Sequence, residues 1–83
     1  MMNFIPIGVG CHSGYKADEY PEYFILEEKR FEILEISDRW YQAENIPGYP
    51  VSDYFEVRTQ YGVYLIRHEP AGDNWYLCIS DKG

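Results

Sequence analysis

Along the first dozen residues apolar positions recur at every second place. Ile5, Ile7, Val9 and Cys11 fall on one face of an extended chain, with Pro6, Gly8, Gly10 and His12 on the other. A period of two puts alternate side chains on the same face of a strand, so the segment reads as a strand. Glycines on its opposite face point to a bend or to close approach of another backbone. Ser13 to Pro21 is polar and contains Gly14 and Pro21, which makes it a connection. In the second half, Phe55 and Val57 alternate with Glu56 and Arg58, a turn follows near Gln60 to Gly62, and Val63 and Leu65 then alternate with Tyr64 and Ile66. Pro70 and Gly72 mark a further turn, after which Trp75, Leu77 and Ile79 line one face of a last strand.

The stretch from Glu22 to Gln42 supports two readings. Leu26, Ile33, Leu34, Trp40 and Tyr41 fall at helical spacing in a region rich in Glu, Lys, Arg and Leu. Against a helix, Arg30 and Ser37 interrupt the stripe, Phe31 and Ile36 lie off it, and no good N-cap precedes Tyr23. As strands, Tyr23 to Leu26 and Phe31 to Tyr41 form a hairpin around Glu27-Glu28-Lys29-Arg30. Phe31 and Ile33 then share one face and Leu34 and Ile36 the other, a phase switch of the kind made by a β-bulge or by a strand passing between two sheets of a small barrel. The loop from Ala43 to Ser52 holds Pro47, Gly48 and Pro50 and continues neither structure. With the hairpin reading, the chain is expected to be all-β, a small six-stranded antiparallel barrel of SH3-like or split type spanning 1–83, because closure removes the adhesive edges of a flat sheet.

Composition strengthens that expectation. Nine Tyr, four Phe and two Trp among 83 residues suit a pleated, half-buried surface, and a chain of this length supports one hydrophobic core. Fourteen acidic residues against seven basic give a formal charge of −7, which repels polyanions and disfavours nucleic acid and anionic membranes as partners. Two cysteines, Cys11 and Cys78, do not make a disulfide framework, and no signal-peptide pattern is present, so a cytoplasmic location is expected. No apolar run approaches the roughly 18 to 20 residues a bilayer span needs.

Several segments carry a resemblance: Ser13-Gly14-Tyr15-Lys16-Ala17-Asp18-Glu19 with Pro21, then Asp38-Arg39-Trp40-Tyr41, then Tyr54-Phe55-Glu56-Val57-Arg58, then Leu65-Ile66-Arg67-His68-Glu69 followed by Trp75. In this order, over most of the chain, they resemble a family of short bacterial proteins that has no assigned activity, so the likeness implies no catalytic residue. The chain departs from that pattern where Glu27-Glu28-Lys29-Arg30 stands in place of a glycine-containing turn, and again in a longer loop from Glu44 to Ser52.

Candidate chemistry is sparse. Cys11, His12, His68 and Cys78 are zinc-ligand types, but adjacent Cys11 and His12 point to opposite faces of a strand and the spacing of structural zinc sites is absent, so no metal and no cofactor is expected. Were the barrel to close, Cys11 and Cys78, each in an end strand, would be candidates for neighbours. Asp18-Glu19 and Glu27-Glu28 lie in turn-like segments, where two carboxylates share one solvated environment instead of the contrasting ones acid/base work needs. No nucleophile motif or phosphate-binding glycine loop occurs, and an enzyme is not expected. The remaining polar cluster holds Lys16, Asp18, Asp38, Arg39, Arg67, His68 and Glu69, interleaved with Tyr15, Trp40, Tyr41 and Tyr64. Such a set builds either a structural network or a recognition surface. As a surface, Tyr15, Arg39, Trp40, Tyr64, Arg67 and His68 are the candidate binding residues for a peptide or protein partner. The alternative is weak single-stranded nucleic-acid binding, with bases stacked on aromatics and Arg39, Arg58 and Arg67 along the phosphates.

Overall fold

The computed structural model describes residues 2–12, 20–42 and 51–80. Its strands are β1 (Met2–Pro6), β2 (Gly8–His12), β3 (Tyr20–Leu26), β4 (Lys29–Gln42), β5 (Ser52–Thr59), β6 (Gly62–Glu69) and β7 (Asn74–Ser80). All neighbours pair antiparallel in the order β1-β7-β6-β5-β4-β3-β2, and the sheet curls into a half-barrel. The all-β expectation holds, and of the two readings of 22–42 the structure shows the hairpin, β3–β4, and not the rival helix. The strand count is seven and not six, because the predicted first strand is divided at Ile7. β1 pairs with β7, β2 pairs with β3, and the Ile7 N–H donates to the Trp75 carbonyl at 3.1 Å where the chain changes partners. One stretch of chain therefore joins the two ends of the sheet order. No helix among the described residues is long and apolar enough to cross a membrane.

The interior is filled from alternate positions of facing strands. Phe24, Phe31, Phe55, Val57, Ile66, Trp75 and Leu77 are buried, with Ile5, Ile7, Val9, Ile33, Ile36 and Tyr64 packed against them. Phe24 stacks on Phe31 with centroids 4.7 Å apart, and the Tyr64 ring meets both edge-on at 5.9 and 5.4 Å. Because β3 and β6 are not neighbours in the sheet, the Phe24–Tyr64 contact crosses the interior and measures its curl. Burying one such aromatic ring is worth about 2 to 3 kcal/mol.

β4 carries the irregularity expected of it, in a different form. Its register to β5 shifts between Ile33 and Glu35 and again between Ile36 and Asp38. Each shift inserts one extra residue, so Ile33, Ile36 and Arg39, spaced by three, all reach the inner face opposite Thr59, Val57 and Phe55. Leu34 is thereby turned outward and 57% exposed, and it does not share a face with Ile36. At the start of β4 the Gln60 side chain extends the pairing, accepting from the Glu32 N–H at 2.8 Å.

The turns differ sharply between the two ends. Leu26 pairs with Lys29 around a two-residue turn, Glu27-Glu28, tighter than the four-residue turn expected, and both residues have positive φ, 51° and 66°. β5 and β6 are joined as tightly at Gln60-Tyr61, where the Thr59 hydroxyl accepts from the Tyr61 N–H and donates to the Gly62 carbonyl. At the opposite end β2, β4 and β6 finish and β3, β5 and β7 begin, and there the turn 70–73 is closed by the Asp73 N–H, which donates to the Pro70 carbonyl at 3.2 Å; 13–19 and 43–50 are outside the described residues.

Candidate functional site

Cross-strand register gathers Arg39, Trp40, Arg67 and His68 at the end that carries the long connections, where loops set on a rigid scaffold commonly bear function. Trp40 pairs with Tyr54, Tyr54 with Arg67, and Arg67 with Tyr76, so these four form a row across the outer face of β4, β5, β6 and β7. Arg39 and His68, one residue displaced, fall on the inner face. The six candidate residues thus do not make one surface. Tyr64 sits in the aromatic core described above, and Tyr15 lies outside the described residues.

Arg67 is held from several sides. Its Nε donates to Ser52 Oγ at 3.0 Å, its Nη1 pairs with Glu69 at 2.6 Å, and its guanidinium lies 4.8 Å from the Phe4 ring centroid. The arginine and glutamate side chains are only 17% and 18% exposed, so this is a half-buried ion pair tying β1, β5 and β6 together. The same row ends at Phe4 and Tyr76, edge-to-face at 6.4 Å. His68 stacks on Trp75 at 4.0 Å and its Nε2 lies 3.0 Å from an Asp73 carboxylate oxygen, a partnership that fixes the ring at the inner end of β6. Arg39 places its guanidinium 5.0 Å from the Phe55 centroid and 5.9 Å from that of Tyr20 at the barrel mouth. Arg58 pairs with Glu35. Arg39, Arg58 and Arg67 consequently lie apart, on two faces, with two of them matched to acids.

The other end of the outer row is different in character. Trp40 and Tyr54 lie nearly parallel, with an interplanar angle of 9° and centroids 5.4 Å apart, and Trp40 remains 39% exposed. Two residues further along the same face, Asp38 stands directly opposite Glu56. Like charges at paired positions repel. Their local contacts are the Arg39 N–H, which donates to Asp38, and the Ser37 hydroxyl, which lies within hydrogen-bond distance of the Glu56 carboxylate and carbonyl. Neither carboxylate has an ion pair among the described residues. Sequence reasoning named Trp40 but missed Tyr54 and Glu56 as its companions. The signal that finds them is β4–β5 register, which the bulges hide.

A cleft of about 580 Å³ opens where β2 leaves β7, lined in part by Ile7, Val9, Cys11, Asp73, Asn74 and Trp75. No disulfide joins Cys11 and Cys78. Cys78 pairs with Phe4 of β1 on the outer face, whereas Cys11 lies in β2, roughly 20 Å further along at ordinary strand rise. Burial pushes the Cys78 thiol up from 9.0 to about 11, opposed by the nearby charge of Arg67. Among the described residues no three His, Cys, Asp or Glu side chains converge on one point. In comparisons with protein-family models, curated proteins and solved structures nothing matches this chain.

Proposed function

We propose that the domain is a non-catalytic interaction module whose outer face recognises a basic segment of a partner protein. The observation that carries this reading is the Trp40–Tyr54 stack beside the Asp38/Glu56 pair. A half-exposed aromatic platform supplies apolar contact area at small cost in side-chain entropy, and the facing carboxylates supply a charge that a Lys or Arg neutralises. A partner cation placed by this pair neutralises two like charges held at paired positions. The net charge of −7 draws basic partners from a distance in the same direction. The arginines named for phosphate binding do not form a stripe beside these rings, which favours a basic peptide over single-stranded nucleic acid.

The test uses a ten-residue peptide of alternating Lys and Val, its Glu/Val counterpart and an oligothymidine of similar length, titrated while following tryptophan fluorescence. The Lys/Val peptide should bind and perturb the exposed Trp40, with affinity falling as salt rises. Trp40→Ala and Glu56→Gln should each weaken binding several-fold while the fold survives, since Trp40 is not core. Equal binding of the Glu/Val peptide, or tighter binding of the oligothymidine, refutes the reading.

A further inference from the structure

β2 is the last strand of the sheet order, and among the described residues no strand pairs with its edge away from β3. The direction of its free groups follows from the neighbouring residue. The Ile7 N–H points toward β7, where it meets the Trp75 carbonyl. Successive residues of a strand send their N–H and C=O groups to alternate sides, so Gly8 and Gly10 address β3 and Val9 addresses the side Ile7 does. The register shift of β2 falls after Gly10 and leaves this alternation intact up to Val9. β7 begins at Asn74, so beyond Trp75 it gives way to the turn 70–73, and Val9 borders the cleft and not a paired strand.

That edge has few of the guards that keep sheet edges from pairing. Between Gly8 and Cys11 there is no Lys, no acid and no Pro, and a Cβ added at Gly8 would meet nothing within 4 Å. The cleft's volume lies within the roughly 300–1,000 Å³ typical of occupied sites. Its lining is mixed, with Ile7, Val9 and Trp75 beside Asn74 and Asp73, whose side chain is 78% exposed. We propose that a partner protein binds here by strand addition, an extended basic segment pairing with the Val9 edge of β2 and filling the split between β2 and β7. Resting on the proposed function for the partner's basic character alone, this gives that partner a contact separate from the Trp40–Tyr54 platform on β4 and β5. A second copy of the chain is the poorer occupant, because two chains of charge −7 repel while a basic strand is attracted to so acidic a chain. Main-chain pairing supplies affinity, and Ile7, Val9 and Trp75 in the lining favour small or β-branched residues at alternate positions of the added strand.

Amide hydrogen exchange of the isotopically labelled protein, with and without saturating Lys/Val peptide, reads the pairing directly. The Val9 amide should exchange fast in the free protein and at least tenfold more slowly in the complex, whereas Gly8 and Gly10, already bonded to β3, should change little. Val9→Pro removes the cleft-facing donor and should weaken peptide binding at least tenfold, with Val9→Ala, which keeps the donor and loses the same packing against the core, weakening it less than threefold; urea unfolding of both variants separates lost binding from lost fold. If the peptide quenches Trp40 but leaves Val9 exchange unchanged, strand addition is refuted and the outer-face reading stands. If Val9 is protected and Trp40→Ala binds as well as the parent, strand addition is supported and the outer-face reading fails. Protection of Val9 that grows with protein concentration in the absence of peptide makes a second copy the occupant and overturns the proposal.

Discussion

Replacing Glu27-Glu28 by Asn-Gly should stabilise the domain, and the size of the gain follows from the backbone. Both residues occupy the left-handed region, at φ 51° and 66°, as a two-residue hairpin turn of the mirror type requires. A side chain with a Cβ pays about 1 to 2 kcal/mol there, less for Asn, whose short amide bonds locally, and nothing for Gly. Glycine returns about 0.5 to 1 kcal/mol of this through the greater freedom of the unfolded chain. The balance is a gain of about 1 to 2 kcal/mol for the pair, or roughly 5 to 15 °C in Tm for a domain of this size. Urea unfolding followed by tryptophan fluorescence measures it, and Glu27→Gln with Glu28→Gln serves as the control that removes the same two charges without touching φ. If the Gln pair gains as much as Asn-Gly, the effect is electrostatic and the backbone argument fails. If Asn-Gly lowers stability, the hairpin itself is wrong, since a glycine inside a helix costs about 1 kcal/mol.

Arg67→Ala should cost about 2 to 3 kcal/mol in the same assay, because two charge-assisted bonds are lost and Glu69 stays half-buried without its partner; Arg67→Lys should recover only part of this. Gly10→Ala should destabilise by about 1 to 2 kcal/mol, since the new methyl would lie 2.1 Å from the Tyr23 ring laid across that glycine, and a Tyr23→Ala background should remove most of the penalty. The Cys78 thiol holds its proton to about pH 11 in the folded state against 9.0 normally. The folded form therefore binds more protons than the unfolded one between those values, and stability should fall as pH climbs from about 9 to 11, a slope that Cys78→Ala flattens.

The strands at Phe55 to Ile66 were legible because their alternation is unbroken and their turn is short. β4 was ambiguous for a physical reason: of the apolar residues at helical spacing, Leu34, Trp40 and Tyr41 are exposed in the strand, while two inserted residues bring Ile33 and Ile36 to the inner face three apart, so the apolar letters do not report a period of two. The division of the first strand was invisible, because changing partners at Ile7 leaves Ile5, Ile7, Val9 and Cys11 all facing inward. Of the candidate residues, those given by the pattern around Trp40 and Arg67 do lie at one end of the sheet, yet a sequence cannot say which face each takes once bulges shift the phase. Trp40 and Trp75 look alike as letters, and only register separates the platform on the outside from the buried ring.

The switch of partners at Ile7 also has a bearing on the order of assembly. Strands β2 to β7 are built from contacts between strands consecutive in the chain, which close over short spans, whereas Met2 must find Ser80 before the curl is locked. The opening segment is thus a clasp fastened late and released early. While it hangs loose, Trp75 and Leu77 lose part of their cover, so β1 stands between the edge of β7 and pairing with another chain during biosynthesis.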